Sequence, residues 1–409
     1  MPAAAASREP SLVFLVVALT FSHSMAAMAM MVLPAVAPLV AHEYGIDASL
    51  VGYQISIVSV GLLITLLAVG NLSRRLGGCR TNQIGHSLVG LGLALMLLPS
   101  AVFLLPGSLV IGLGFGLLAP SASALLIRFA PPARRNFVFS VHQTSIPLGG
   151  MVAALGAPVV ALEFGWRAAF AAAVLLVIAA VLLMQVGRAR WDDDRVAGSR
   201  VLAANPFAGF VANWHEPRLR RLSLAGFSFC WAQFCVSAYT VVSCVEALGM
   251  SLIAAGTVLM TVQVSNALGR MIAGWIADRL GSAARVLAVM GWAMLAVSIG
   301  FLWLAPAWPL ALTYVMFAAL GITSGAWAGI LLAEVGHLAP PGHVGAVVSG
   351  TLVYVNLGKF AGPAAFAALY AATHSYGAGF ALIALPALLA VWCLVARPAA
   401  VAAAPAGNA

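Results

Sequence analysis

The sequence of 409 residues has very little charge. Asp, Glu, Lys and Arg together make up 8% of the chain, while 63% of its residues are hydrophobic. Soluble domains carry about 25% charged residues, so this composition excludes an ordinary soluble domain and indicates a membrane protein. The five cysteines lack the spacing of a metal site, so we expect packed, reduced thiols and no bound metal. No catalytic or nucleotide-binding pattern is present, and we expect neither a cofactor nor an enzyme activity.

Long apolar stretches occupy most of the chain. Crossing a bilayer as a helix takes about 20 residues, and twelve stretches are long enough. The alternating pattern of a membrane barrel is absent, so the stretches are predicted to be helices. They are residues 12–38, 49–72, 82–104, 106–129, 137–161, 167–187, 222–245, 252–276, 286–305, 309–333, 344–371 and 378–396. The sequence therefore predicts an all-α membrane protein with twelve transmembrane helices.

The basic residues predict the orientation of these helices. If the N-terminus is cytoplasmic, most of the 20 basic residues fall on the cytoplasmic side, including Arg74, Arg75 and the arginines of residues 188–221. The positive-inside rule favours this arrangement. The net charge of +9 is thus explained by topology, and no nucleic-acid partner is expected. We predict a multi-pass protein of the inner (plasma) membrane with both termini in the cytoplasm.

The chain also divides into two similar halves. A polar stretch predicts a cytoplasmic linker at 188–221, between an N-terminal six-helix bundle at 1–187 and a C-terminal six-helix bundle at 222–409. Three features recur roughly 210 residues apart, which is typical of transporters built from repeated bundles. These features are the loop pairs Arg74-Arg75 and Asp278-Arg279, the prolines Pro147 and Pro363, and the phenylalanines Phe170 and Phe380.

Two cations lie inside predicted spans: Arg270 in the eighth, and Lys359, the only lysine, in the eleventh. Charges embedded in a bilayer are costly and usually functional. Gln263 and Asn266 share a helix face with Arg270, and Asn356 lies one turn from Lys359. None of the 11 acidic residues is predicted at mid-membrane depth, so the expected counter-ion is an anionic substrate. Helix packing, or extension of the arginine to the cytoplasm, is the alternative.

Several motifs resemble the major facilitator superfamily, and this resemblance covers essentially the whole chain. The loop G-x-x-x-D-R-x-G that contains Asp278 and Arg279 matches the family pattern, whereas Arg74 replaces the acid in the first-half loop. The turn G-W-R-x-x-F that ends at Phe170 is also similar. The resemblance implies the major facilitator fold and alternating access. It also implies gating contacts at the cytoplasmic helix ends by Asp278, Arg279, Arg74 and Arg75; ordinary solvated charge is the alternative.

An arginine in span 8 with a lysine in span 11 is similar to the oxalate/formate antiporter family, where these positions bind substrate carboxylates. Monocarboxylate transporters share the span-8 arginine. The resemblance implies substrate binding by Arg270 and Lys359 and cavity-lining roles for Gln54 and Trp327, with simple helix packing as the alternative. Neutral hydrogen bonds to the substrate are expected from Gln263, Asn266 and Asn356. Nitrate carriers have a further arginine in span 2, which this sequence lacks.

Three histidines in predicted spans, His23, His86 and His142, are candidates for proton coupling because histidine titrates near neutral pH; packing is the alternative. We expect a monomeric secondary transporter of small organic anions that works by anion exchange or proton coupling. Its expected partners are the anion, the lipid bilayer and protons. The alternatives are a proton-coupled efflux pump for lipophilic drugs, a carrier of inorganic anions such as cyanate or nitrate, and a membrane enzyme or nutrient sensor.

Overall fold

The structure is a computed structural model that describes residues 12–68, 72–131, 134–196, 198, 207–340 and 343–395. The ends of the chain, whose cytoplasmic location was predicted, lie outside these ranges. Within them the helices are α1 Leu12–Tyr44, α2 Val51–Ala68, α3 Leu72–Leu76, α4 Gly78–Met96, α5 Leu104–Phe129, α6 Arg135–Gln143, α7 Ser145–Phe164, α8 Trp166–Trp191, α9 Ala208–His215, α10 Pro217–Glu246, α11 Leu252–Leu280, α12 Ala283–Gly300, α13 Leu310–Gly325, α14 Ala328–Leu338, α15 Val344–Thr373, α16 Tyr376–Ala381 and α17 Ala384–Val395.

These helices confirm the predicted all-α membrane architecture. Eleven helical segments of the described residues are long and apolar enough to cross a bilayer. The remaining predicted span corresponds to α4, which is less apolar because it carries Arg80, Asn82, Gln83 and His86, and which packs on α5 and α8. Helices satisfy their own backbone hydrogen bonds, which the interior of a bilayer requires.

The linker is shorter than predicted, because its flanking helices are longer. The predicted linker was 188–221, but α8 continues to Trp191 and α10 begins at Pro217, and the short helix α9 lies between them. Immediately after α8, the Asp192 carboxylate accepts hydrogen bonds from the backbone N–H groups of Cys79 (2.7 Å) and Arg80 (2.9 Å). This side chain caps α4, which therefore begins at Gly78 and not at the predicted residue 82. Burial raises the pKa of Asp192, and the two N–H groups oppose that shift.

Three predicted spans are interrupted. Span 5 breaks at Thr144 between α6 and α7, and span 12 breaks between α16 and α17. In both cases a proline, Pro147 or Pro386, lies in the first turn of the second helix, where a missing N–H costs no hydrogen bond. Span 10 breaks at Ala326 and Trp327 between α13 and α14. A break inside a membrane exposes backbone carbonyl groups that side chains can contact.

The two halves repeat the same helix pairings. In the first half α1 packs on α7 and α8, α2 packs on α5, and α4 packs on α8. The second half repeats this pattern, with α10 on α15 and α17, α11 on α13, and α12 on α17. The halves meet where α2 packs along α15, α7 along α11, and α1 along α10.

Buried contacts between the halves close one end of this interface. The linker face is the end of the molecule at which α8 ends and α10 begins; the far face is the opposite end. Towards the far face, the Tyr239 hydroxyl lies 3.0 Å from the Ser49 carbonyl oxygen and 3.1 Å from that of Pro363, and can donate to either. One turn deeper, the Ser56 hydroxyl donates to the Phe360 carbonyl oxygen at 2.7 Å. The described structure is therefore sealed at the far face.

The predicted G-W-R turn lies at the far face and has a counterpart in the second half. Trp166 and Arg167, at the start of α8, both donate hydrogen bonds to the carboxylate of Glu43 at the end of α1. At the equivalent place in the second half, the Tyr376 hydroxyl donates to the carboxylate of Glu246 at the end of α10. In each half this contact joins the end of the first span to the start of the sixth.

Candidate substrate-binding site

Arg270 lies in α11 about 15 Å of helix rise from the linker-face end of that helix. Its Nε–H is shared between the Asn266 side-chain oxygen (2.9 Å) and the Gly325 carbonyl oxygen (3.2 Å) at the break in span 10. A Cβ at Gly325 would lie 2.2 Å from the Asn266 amide nitrogen, so a larger residue there would displace the Asn266 side chain. The two terminal Nη atoms donate to no residue that the structure describes, and no carboxylate there pairs with them. Hydrogen bonds therefore fix the guanidinium of Arg270 at Nε, while its two Nη atoms have no partner among the described residues.

Lys359 lies near the middle of α15 and is 3% exposed. Its Nζ is 3.1 Å from the Met30 sulfur, 4.4 Å from the centroid of the Phe234 ring and 5.2 Å from that of Phe115. Aromatic faces stabilise a cation, and sulfur is a weak acceptor, but none of these groups neutralises the charge. Met30 and Phe115 belong to the first half. The ammonium therefore lies between the halves without a carboxylate among the described residues.

Helix α10 contributes further residues beside Lys359. Cys230 lies on α10 one turn before Phe234, the ring that faces the Lys359 ammonium. Gln233 and Phe234 follow one turn later on the same face, where Phe234 contacts Lys359. The Gln233 side-chain oxygen accepts a hydrogen bond of 3.0 Å from the Trp327 indole N–H. Through this bond the break in span 10 is fixed against α10.

The other predicted binding residues occupy different positions. Gln54, on α2, is 5% exposed, and neither its side-chain nitrogen nor its oxygen has a hydrogen-bond partner among the described residues. Gln263 packs across the interface on Gly150 of α7. The Asn356 amide donates to the Leu352 carbonyl oxygen of its own helix. The structure thus joins Asn266 to Arg270, whereas the Asn356 amide is engaged within α15.

The residues predicted to gate the site lie exposed at the linker face. Arg279 stacks on Trp275 at 4.3 Å, and no described acid or base pairs with Asp278. Arg74 and Arg75 lie on the short helix α3, also exposed. The hydrogen bonds between the halves lie at mid-depth or towards the far face, so the linker face carries none among the described residues.

The three predicted histidines lie together in the first half. The rings of His23 and His142 are in edge contact with centroids 5.1 Å apart, and His86 contacts the backbone carbonyl of Ser22. His23 also packs against Phe115 at 5.3 Å, the ring on whose face the Lys359 ammonium lies.

Sequence reasoning missed the immediate surroundings of Lys359. Met30 lies in a continuous hydrophobic run and Phe115 lies between glycines in another apolar span, so no polar periodicity marks either of them as a site residue. The positions of Cys230, Gln233 and Phe234 carry a weak signal, because polar residues at i and i+3 in a membrane helix indicate a buried face.

Comparison with known proteins gives a family match over most of the chain. A family model described as Major Facilitator Superfamily matches residues 19–363. Among solved structures, a bacterial homologue of the human lysosomal transporter Spinster, in an inward-facing and occupied conformation, matches with a TM-score of 0.67 at 14% identity. The match covers 95% of this chain and 96% of that one, and at this identity it supports the fold alone.

Three curated relatives are similar at low identity. The membrane sensor protein UhpC of Salmonella typhimurium is 27% identical over 52% of this chain and 50% of its own length. The gallate transporter of Pseudomonas putida is 26% identical over 60% of this chain and 61% of its own length. The gentisate transporter of Corynebacterium glutamicum is 23% identical over 87% and 80%. The match thus spans about half of the first relative and three fifths of the second.

Proposed function

Because this chain belongs to the major facilitator superfamily, we propose that it is a secondary transporter that moves small organic carboxylates across a membrane by alternating access. The observation that carries this proposal is the pair of cations inside membrane helices, Arg270 in α11 and Lys359 in α15, neither of which has a carboxylate partner among the described residues. Buried charges without partners are strongly unfavourable, so a site of this kind is stabilised when an anion enters. Charge complementarity therefore supports an anionic substrate.

Each cation has a different role in this proposal. Arg270 binds one carboxylate through its two free Nη atoms, and the planar fork matches the two oxygens. Asn266 and the Gly325 carbonyl hold the base of that fork through Nε and so fix its direction. Lys359 acts as a point charge for a second carboxylate or for the same one. Gln54, whose buried amide has no hydrogen-bond partner among the described residues, supplies a neutral hydrogen bond to the substrate.

Aromatic or unsaturated carboxylates fit this site better than short aliphatic ones. The faces of Phe115 and Phe234 beside the Lys359 ammonium offer flat apolar walls for a planar substrate. Two relatives are described as transporters of gallate and of gentisate, both of which are hydroxylated benzoates. We take gentisate and gallate as the first substrates to test.

Alternating access follows from the contacts between the halves. In the proposed orientation the linker face is cytoplasmic, the membrane is the inner (plasma) membrane, and a single chain is the functional unit. The seal at Tyr239 and Ser56 then closes the outer side. When the halves rock, that seal opens, and Asp278 and Arg279 come into contact with the first half at the cytoplasmic side. Closing an empty site desolvates both cations, so anion exchange is expected to be faster than movement of the empty carrier.

The central test is transport by purified protein in liposomes loaded with unlabelled gentisate. Wild-type protein is expected to accumulate labelled gentisate by counterflow, whereas Arg270→Gln and Lys359→Gln should lose both this accumulation and binding. The matched control is Arg285→Gln, which removes an exposed arginine at the start of α12. Transport by both site variants at wild-type rates would show that the cations do not bind the substrate.

A nutrient sensor is the second candidate, because one relative is described as a membrane sensor protein. A sensor binds its ligand without moving it. If gentisate stabilises the purified protein against heat but no counterflow is measured in liposomes, the sensor is favoured. A drug efflux pump requires no anion, so resistance of cells that overproduce both site variants would favour that alternative.

A further inference from the structure

Three buried histidines of the first half form a cluster that the substrate site leaves unused. His86 lies on α4, His23 on α1, and His142 in the last turn of α6, next to the break in span 5. Their exposed fractions are 0%, 4% and 6%. The rings of His23 and His142 are in edge contact at 5.1 Å. Polar rings buried in a membrane domain are costly unless their nitrogens are used.

The surroundings of His86 fit a ring with two N–H groups. Its Nδ1 is 2.9 Å from the Asn82 carbonyl oxygen, and its Nε2 is 2.7 Å from the Ser22 carbonyl oxygen. Both partners can only accept a hydrogen bond. A neutral imidazole has one N–H and can satisfy only one of them, whereas the imidazolium satisfies both. The two carbonyl groups thus allow the His86 ring to bind one additional proton.

His23 and His142 have unused hydrogen-bonding capacity. The Nδ1 atom of each ring is buried and has no hydrogen-bond partner among the described residues. The Ser22 carbonyl that faces His86 belongs to the peptide bond that leads directly into His23. The rings of His23 and His142 are thus in contact, and the His86 ring is linked to His23 through the Ser22 carbonyl group.

The cluster reaches the substrate site through one aromatic ring. His23 packs on Phe115 at 5.3 Å, and the Lys359 ammonium lies 5.2 Å from the centroid of the same ring. The titratable groups beside His23 are His142, whose ring it contacts, and His86, and no described carboxylate forms an ion pair with any of the three rings. From α15, the one facing charge is Lys359. A proton on the cluster and the ammonium therefore repel each other when no anion is present.

We propose that His86, His23 and His142 bind the proton that accompanies the substrate, so that one carboxylate and one proton move together. The proton site rests on the proposed carboxylate transport and specifies that this transport is coupled to protons. The anion at Lys359 removes the repulsion across Phe115, so proton binding and anion binding strengthen each other. The proton comes from water on one side of the membrane, resides on His86 between the two carbonyl groups, and returns to water on the other side on release. No other group changes its bonds.

The first experiment detects the proton without any substrate. Purified full-length protein is labelled with 15N-histidine, and the ring nitrogens are observed by NMR between about pH 5 and pH 8, the range in which histidine titrates. The His86 signal, identified by its loss in His86→Asn, is expected to change from that of a neutral ring to that of an imidazolium with both nitrogens protonated as the pH falls through this range. A neutral His86 ring throughout this range would overturn the proposal. His86→Gln is the second variant if His86→Asn does not fold.

The second experiment measures coupling, with gentisate as the probe. At a pH where the NMR signal shows a neutral His86 ring without gentisate, protein in weak buffer with a pH indicator should take up close to one proton per gentisate bound. His86→Asn, and the pair His23→Asn with His142→Asn, should still bind gentisate but lose most of this uptake. His337→Asn, at an exposed position of α14, is the matched control and should behave as wild type.

The outcomes separate the two proposals. Gentisate binding without proton uptake in the wild type, or with equal uptake in the histidine variants, refutes the proton site and leaves carboxylate transport standing. Failure of gentisate and all other tested carboxylates to bind refutes the carboxylate proposal, and the His86 signal still decides whether the cluster holds a proton.

Discussion

Replacing Arg270 by lysine tests whether the shape of the guanidinium, and not only its charge, binds the substrate. In the structure Nε–H is engaged by Asn266 and the Gly325 carbonyl, while both Nη atoms remain available. A lysine at this position keeps the positive charge. It cannot donate to Asn266 and present two parallel N–H groups to a carboxylate at the same time.

The expected loss can be worked out from these contacts. A hydrogen bond to a charged group contributes about 1.5–3 kcal/mol, and the lysine variant loses one of the two bonds to the substrate carboxylate. Since about 1.4 kcal/mol changes an equilibrium constant tenfold, the Kd for gentisate should rise by roughly 10- to 100-fold. The Gly325 carbonyl also loses its donor, which should lower the stability of the ligand-free protein by about 1–3 kcal/mol.

Equilibrium binding of labelled gentisate to purified protein measures the first effect, and thermal unfolding without ligand measures the second. Arg285→Lys makes the same chemical change at an exposed position and should alter neither quantity. Asn266→Ala removes only the support of the fork, so it should weaken binding less than the lysine variant does. The reasoning is refuted if Arg270→Lys binds gentisate within about threefold of wild type, because charge alone would then suffice.

Three further changes test other parts of the structure. Gly256→Val should block closure of the far face, since even a Cβ there would lie 2.4 Å from the Ala154 carbonyl oxygen. Gentisate counterflow should stop while gentisate binding persists. Unimpaired counterflow would contradict the described interface. Tyr239→Phe removes the hydroxyl that contacts both halves, so spin-label distances across the far face should show a larger open population than in wild type. Burial raises the pKa of Asp192 above its ordinary 3.8, so the folded protein holds that proton more tightly than the unfolded chain does. Wild-type melting temperatures should therefore rise relative to Asp192→Asn as the pH falls through this raised pKa towards 3.8; a constant difference would contradict this.

Local patterns in the sequence predicted the membrane helices, and they single out Arg270 and Lys359 as charges inside these helices. Apolar length alone indicates where a chain crosses a bilayer, and Arg270 and Lys359 are conspicuous because almost nothing else in the spans is charged. The ends and breaks of the helices depend on distant contacts and were predicted less well. The carboxylate that caps α4 comes from Asp192, more than 100 residues further along the chain, and no local signal announces it.

The same limit applies to the candidate site. A shared helix face predicted that Asn266 would accompany Arg270, and the structure has this bond. Asn356 also has suitable spacing, but its amide is used by its own helix. The apolar neighbours of Lys359, Met30 and Phe115, come from the other half of the molecule. Which apolar residue of a uniformly apolar span faces the interface is decided by the packing of the two halves, which a single sequence does not reveal.

The absence of counter-charges beside Arg270 and Lys359 has an electrical consequence. Moving one elementary charge through a potential of 100 mV changes the free energy by about 2.3 kcal/mol, in proportion to the fraction of the field that it crosses. In the proposed orientation, a negative cell interior draws the empty, doubly positive site towards the cytoplasm, and the closed far face is the state that such a voltage favours. A bound dicarboxylate cancels both charges. The membrane voltage would then hold the empty carrier facing inwards, and the arrival of the anion would release it.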